Sequence, residues 1–539
     1  MKKFLILLFL TQLSYSQENF TRKDTLRGGL RIERTCYNIT RYDINIKVNI
    51  EDQFISGYNQ ISFKTVAPTQ KIQVDLFDNL AIDSIIWNKK PLKYNREFNA
   101  VFIDFPKILT ENNNEKITFY YSGKPTIAKH APWDGGFVFS KDKQGKPWVG
   151  VACQGFGASS WFPCKDSQTD EPDLGATIKV AVPNGLMNVS NGRFTGSEDL
   201  KNGYTRWDWE VKNPINSYDI TLNIADYEHF GENYKGLDLD YYVLKENIDK
   251  AKIQFEQVKP MLDCFQEKFG EYPFKEDGYK LVETSYLGME HQSAVAYGNK
   301  YKNGYLGSDL SRSGVGSKFD FIIIHESGHE WFGNSITSKD LADMWIHEGF
   351  TQYSEIVYVE CTQGYEKAML YAKGLRFNVQ NDKPIIGHYG VNNEGSGDMY
   401  PKGALLLNTL RHVVNNDVLW WNIIKDFATT YKYQIIDTET VISFFNKKTG
   451  KNLTPIFNQY LRYTTIPKLE LKQIGKKLYY NWITNEPNFK MSVEIICNSE
   501  TLRLNATNKE QKIRVKPNSL KLIENTSKFF ITIEKVITE

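Results

Sequence analysis

Residues Phe321–Phe350 read FIIIHESGHEWFGNSITSKDLADMWIHEGF. Within them, His325-Glu326-Ser327-Gly328-His329 is an H-E-x-x-H, and Glu348 follows His329 by nineteen positions. Residues four apart share one face of a helix about a turn from each other. His325 and His329 can therefore aim two imidazoles at one point, with Glu326 turned off that axis. Two neutral ring nitrogens and a carboxylate from a following helix make an open site for one zinc ion, its fourth position left for water. The competing reading is two satisfied core histidines on a buried helix. Six of the eight histidines fall between His291 and His412, and an acid stands where a third ligand is needed. Both observations favour the metal. Zinc would bring its water toward a pKa of about 7 and polarise a carbonyl. Glu326 would take the water's proton and pass it to a leaving amine. Amide hydrolysis is the expected chemistry, and the motif does not say where in a peptide the cut falls.

Moving outward, residues 303–317 hold four Gly and four Ser and read as a loop before the motif helix. Ser317 is expected to cap that helix, with Asp320 three residues on. Phe321 to Ile324 is apolar on every side, so the helix should be buried. A second helix is expected from Asp340 to Cys361, carrying Glu348. Asn247 to Phe269 has helical spacing and ends at Gly270, with Pro260 implying a kink or break. Helical patterns continue from Gly403 to about Leu461.

Both flanks change period. From about residue 37 to 230 the pattern alternates, most cleanly at Tyr42-Asp-Ile44-Asn-Ile46-Lys-Val48-Asn-Ile50. After Thr465 alternation returns in short segments such as Leu478-Tyr480-Trp482 and Val493-Ile495. The expected fold class is a multidomain α+β protein: a signal segment over 1–16, an N-terminal antiparallel β domain over 17–235, a catalytic α/β domain over 236–465 and a small β-sandwich over 466–539.

Composition excludes several classes. With 66 Lys plus Arg against 64 Asp plus Glu, no basic field marks nucleic acid or an anionic membrane as a partner. Met1-Lys2-Lys3, the apolar run Phe4–Leu13 and Ser14-Tyr15-Ser16 read as a secretory signal cut before Gln17, which makes the protein exported, periplasmic or secreted. No later run reaches the roughly eighteen apolar residues of a membrane span, so the mature chain should carry no integral membrane segment. The six cysteines, at 36, 153, 164, 264, 361 and 497, are few and scattered. Cys153 and Cys164 are the nearest pair, and a bridge between them is weighed against buried free thiols. Nothing in the sequence supports a particular oligomer.

The spacing from H-E-x-x-H to the Glu of Trp345-Ile346-His347-Glu348-Gly349-Phe350 resembles the M1 family of zinc aminopeptidases, within the gluzincins. Gly288-Met289-Glu290-His291-Gln292 resembles that family's exopeptidase motif G-x-M-E-N. Tyr400-Pro401-Lys402-Gly403-Ala404 resembles the segment holding its catalytic tyrosine. Gln154, followed by Trp161-Phe162-Pro163-Cys164-Lys165-Asp166 and Asp170-Glu171-Pro172, resembles a segment of its N-terminal domain. Phe269 to Phe274 is also similar. The resemblance implies a thermolysin-like catalytic domain and peptides with a free N-terminus as substrates. It implies that Glu290 receives the substrate's α-amino group, assisted by Gln154, that the Gly288–Met289 backbone holds the peptide extended, and that Tyr400 donates to the oxyanion. Departures are Leu287 for the family's first Gly, His291 for its Asn, and His347 for the Asn usual before the third ligand. His291 and His347 are read first as structural, with donation to the metal's ligands or tuning of the site's pH response as the alternatives. Many family members continue with a large helical domain. Its absence after the sandwich would open the cleft or leave it to a second subunit, and would remove basic residues that could meet a substrate carboxylate. Alternatives are a zinc endopeptidase, an epoxide hydrolase like the leukotriene hydrolases, and an inactive peptide-binding module on the same scaffold.

Overall fold

The structure is a computed structural model, and it describes residues 19–497, 500–516 and 527–536. The expected signal segment lies outside the described residues. The chain is a mixed α+β protein: β-rich first, then helical around a mixed sheet, then β again.

In the first part the alternating pattern becomes long strands. Tyr37–Asn49 buries Tyr42, Ile44, Ile46 and Val48 on one face. It pairs antiparallel with Phe54–Thr65 and lies in an eight-stranded sheet. Smaller sheets of four and three strands close the same core. One pairing departs from the antiparallel expectation: Tyr37–Asn49 runs parallel to Ala176–Pro183. The long intervening chain supplies the crossover that a parallel pair needs and a tight turn cannot give.

The Trp161–Pro172 segment fastens this part to the next. Lys165 Nζ meets Asp170 at 2.5 Å, and both side chains are buried. Asp170 accepts from the backbone of Ile39 at 3.0 Å. Thr337 Oγ1, from the short strand Ile336–Ser338 after the motif helix, donates to Glu171 over 2.5 Å. Burial raises the Glu171 carboxyl to about 7.

A five-stranded sheet follows, ordered Tyr227–Tyr234, Leu237–Leu244, Tyr279–Glu283, Val295–Tyr297, Gly288–Met289. Its first hairpin spans residues 235 and 236. Gly288–Met289 forms the edge, bonded only to Val295–Tyr297. Against this sheet packs the motif helix Phe321–Gly328, every residue of it buried. Asp320 caps it in place of Ser317, accepting from the N–H groups of Ile322 and Ile323. Ser317 instead lies in a separate 3₁₀ turn, Gly316–Lys318. The Asn247–Phe269 pattern is broken over Phe255–Gln257. Pro260 sits just beyond, in the first turn of the helix Val258–Phe269, where a missing N–H costs nothing. The Glu348 helix runs Trp345–Gln363, preceded by a 3₁₀ turn that Asp340 caps.

A disulfide joins Cys264 to Cys361, tying the Val258–Phe269 helix to the far end of the Glu348 helix. Cys153 and Cys164 are buried free thiols, so the bridge weighed between them does not form. Beyond residue 467, the described residues form a four-stranded sheet, ordered Gln511–Arg514, Lys477–Ile483, Lys468–Ile474, Thr532–Val536, facing the hairpin Lys490–Cys497 and Glu500–Thr507. Between them lie Leu469, Trp482, Val493 and Leu504, all buried. Arg503 donates to the carbonyls of His412 and Val413, at the C-terminus of helix Pro401–Val414. No helix among the described residues is long and apolar enough to cross a membrane.

Candidate active site

His325 lies in the last turn of its helix and His329 caps the end. Three residues later the chain leaves helical geometry at Phe332 and Gly333. That break turns the Phe332 carbonyl back to accept from His329 Nδ1 at 3.0 Å, with Thr351 Oγ1 at 3.2 Å from the same nitrogen. His325 Nδ1 is held by Glu355 at 2.6 Å. Tyr371 Oη donates to the other oxygen of Glu355 at 2.7 Å. With both Nδ1 atoms engaged, the two Nε2 atoms face Glu348 Oε2, at 3.6 Å from His325 and 3.3 Å from His329.

The three ligand atoms lie within 4.8 Å of one another, and all three residues are buried. Glu348 Oε2 has no hydrogen-bond partner although it is buried. An orphaned carboxylate oxygen between two ring nitrogens asks for a cation. Burial works to lower the His325 pKa, and Glu348 and Glu355 overcome it and raise it well above the ordinary value. Burial works in the same way to raise Glu348, and His329 and His325 hold it below the usual carboxylate range. The donor set, two imidazoles and one carboxylate with oriented second nitrogens, fits zinc.

Glu326 is buried on the cleft side, its carboxyl pushed up by burial to about 7 against the pull of His325 and His329. Its Oε1 lies where little else fits: a Cβ on Gly288 would stand 2.8 Å from it and 2.9 Å from Ile322 Cγ2. A side chain at this position of the edge strand would need Glu326 and Ile322 to shift aside. Tyr400, at the N-terminus of helix Pro401–Val414, places its ring 5.9 Å from that of His325. This approach depends on a pair of glycines. A Cβ on Gly403 would stand 2.9 Å from Gly349 Cα, so the Tyr400 helix and the Glu348 helix touch backbone to backbone.

Glu290 follows the edge strand and is buried. Burial raises its pKa, opposed by His329 and assisted by Glu348. Gln154 Nε2 donates to Glu290 Oε1 at 2.6 Å and to Glu348 Oε1 at 2.8 Å. One amide thus joins the acid of the edge strand to the metal-ligand set. His325, Glu326, His329, Glu348, Gln154, Gly288, Met289, Glu290 and Tyr400 all line one cleft of about 1210 Å³. Every residue singled out for the site in the sequence therefore reaches the same cavity.

The remaining histidines do not reach the ligand set. His347 Nε2 accepts from the backbone of Ser338 at 2.8 Å, and its pKa is lowered by burial to about 3. His291 is fully buried, lowered by burial to about 3, with neither ring nitrogen hydrogen-bonded. His388 packs on Phe20, and His412 Nδ1 meets the carbonyl of Asn408. Sequence reading missed Glu355, although it stands seven residues after Glu348, two turns along the same face. It missed Tyr218, which reaches Glu290 from a 3₁₀ turn of the β-rich part. It also missed Glu394, a cleft carboxylate raised by burial and by the charges of Glu348 and Glu290. No local pattern marks either of these two.

The chain matches two family models, the peptidase M1 N-terminal domain over residues 38–218 and the peptidase family M1 domain over residues 253–460. It is 25% identical over 291 residues to endoplasmic reticulum aminopeptidase 1 of Mus musculus, covering 51% of this chain and 30% of that protein. It is 21% identical over 519 residues to probable aminopeptidase 1 of Sulfurisphaera tokodaii, covering 89% of this chain and 62% of that protein. This chain thus spans less than two thirds of the length of either relative. The fold is similar to that of an M1 zinc metallopeptidase from Deinococcus radiodurans, with a TM-score of 0.66 and 18% identity, over 81% of this chain and 95% of that one. A variant of that protein has been solved bound to a Tyr-Ser-Ala substrate. With the two matched segments together covering most of the chain and the second holding the H-E-x-x-H, this chain belongs to the M1 family of peptidases.

Proposed function

We propose that this protein is a zinc-dependent aminopeptidase that removes the N-terminal residue of peptides. The observation that carries the reading is the Gln154 bridge. An acid suited to an ammonium group stands one amide away from the metal ligands. A substrate anchored by its α-amine at Glu290 would therefore present its first peptide bond, and no later one, to the reacting centre. Held by His325, His329 and Glu348, zinc supplies a Lewis acid and an acidified water. The Glu326 carboxylate would take a proton from the attacking water and hand it to the leaving amine. The Tyr400 hydroxyl donates to the oxygen that gains charge in the transition state. The Gly288–Met289 edge, unpaired on its outer side, offers backbone groups to an extended peptide. A blocked amine would leave Glu290 charged, desolvated and unpaired, which is the physical basis of discrimination.

The Met1–Ser16 pattern supports export of the protein, and the Cys264–Cys361 bridge is at home in an oxidising compartment. A panel of aminoacyl-fluorogenic substrates, with and without a zinc chelator, tests the activity. Release of the fluorophore that stops with the chelator and returns with added zinc is expected. Chelator-insensitive release, or none with any residue, contradicts the reading.

A further inference from the structure

Glu290 is held by donors with no part in the chemistry above. Tyr218 Oη donates to Glu290 Oε1 over 3.2 Å and faces His347 Nδ1 at 3.4 Å. The backbone N–H of Ser338 donates to the other ring nitrogen, His347 Nε2, over 2.8 Å. A ring nitrogen that accepts carries no proton, so the neutral imidazole holds its hydrogen on Nδ1. That hydrogen points at the Tyr218 oxygen, and the phenol hydrogen then has Glu290 as its acceptor. Tyr218, His347 and Glu290 are all buried, so water does not compete for these bonds.

The direction of the relay matters because of what else touches Glu290. Gln154 Nε2 donates to the same Oε1, and Asn334 Nδ2 anchors the Glu290 carbonyl at 2.8 Å. Both donors meet Oε1, no other described residue donates to Oε2, and Glu290 lines the cleft. His347 stands where the resemblance leads one to expect Asn. The imidazole at this position accepts from Ser338 through Nε2 and faces Tyr218 through Nδ1 at once.

We propose that Tyr218 and His347 are positioning residues that fix the rotation of the Glu290 carboxylate, so that Oε2 meets the α-ammonium group of the substrate. The inference rests on the reading of Glu290 as the amine acceptor. The test compares L-leucine hydroxamate with its des-amino counterpart, 4-methylpentanoyl hydroxamate, as inhibitors of wild-type protein and of Tyr218→Phe, His347→Asn and the double variant. In Tyr218→Phe the preference for the amino compound should fall about tenfold, the worth of one hydrogen bond to a charged group. The des-amino compound should bind as before, and KM for free-amine substrates should rise more than kcat falls. His347→Asn should lower the preference too, and the double variant no further than Tyr218→Phe alone. Tyr218→Phe removes one hydroxyl and keeps the ring, so it decides the matter even if His347→Asn does not fold. An unchanged preference in Tyr218→Phe, or equal weakening of both compounds, overturns the proposal. Wild-type protein that binds both compounds equally contradicts the reading of Glu290 itself, and the inference falls with it.

Discussion

In the proposed mechanism Glu326 moves a proton and Tyr400 meets the developing charge, and single-atom changes separate the two roles. Glu326→Gln keeps the size of the side chain and removes its ability to take a proton. Turnover should fall by about a thousandfold or more, with zinc content unchanged by elemental analysis. Near-normal turnover would remove Glu326 from the mechanism. Tyr400→Phe leaves the ring beside His325 and removes only the hydroxyl proposed to meet the oxyanion. kcat should fall about a hundredfold with KM nearly constant, and a pure KM effect in steady-state kinetics would contradict that role. The glycine beside Glu326 was less legible. Gly288 reads in sequence as part of a motif, and only the fold reveals that a methyl there would strike Glu326 and Ile322.

Among the elements, the helix Trp345–Gln363 organises the site. Its first turn carries Glu348, and Glu355 two turns on orients His325. Glu355→Gln should weaken zinc binding by about 10- to 100-fold, measured by competition with a chromophoric chelator. Unchanged affinity would show that His325 needs no such support. The existence of this helix and of the motif helix was legible from spacing, because metal ligands four apart demand a helical face. Their starts were less so. Asp320 takes the cap because Asn299 donates to the same oxygen while Tyr297 and Gln254 hold the other, an arrangement of residues distant in sequence. Tyr218 was illegible for the same reason: a tyrosine in the β-rich part meets Glu290 across 72 positions.

Across the whole molecule, change of period along the chain made the β, helical, β order readable, because strands and helices bury faces with different repeats. Pairings at long range were not readable. The parallel strand beside Tyr37–Asn49 and the Cys264–Cys361 bridge, 97 positions apart, both depend on how the chain returns to itself. The bridge clamps the Glu348 helix at the end away from the site. Reducing it should cost about 2–4 kcal/mol of stability, visible as a lower Tm in dithiothreitol, with wild-type-like KM below the transition. An unchanged Tm on complete reduction would show that the bridge does not stabilise the fold.

The proposed activity depends on recognition of a free amine beside the metal ligands. The most direct measurement is mass spectrometry of one peptide offered in two forms, free and N-acetylated, to the zinc-loaded protein. Stepwise loss of N-terminal residues from the free form, with the acetylated form intact, is the predicted result. Equal cleavage of both forms, or a cut inside either one, would contradict it.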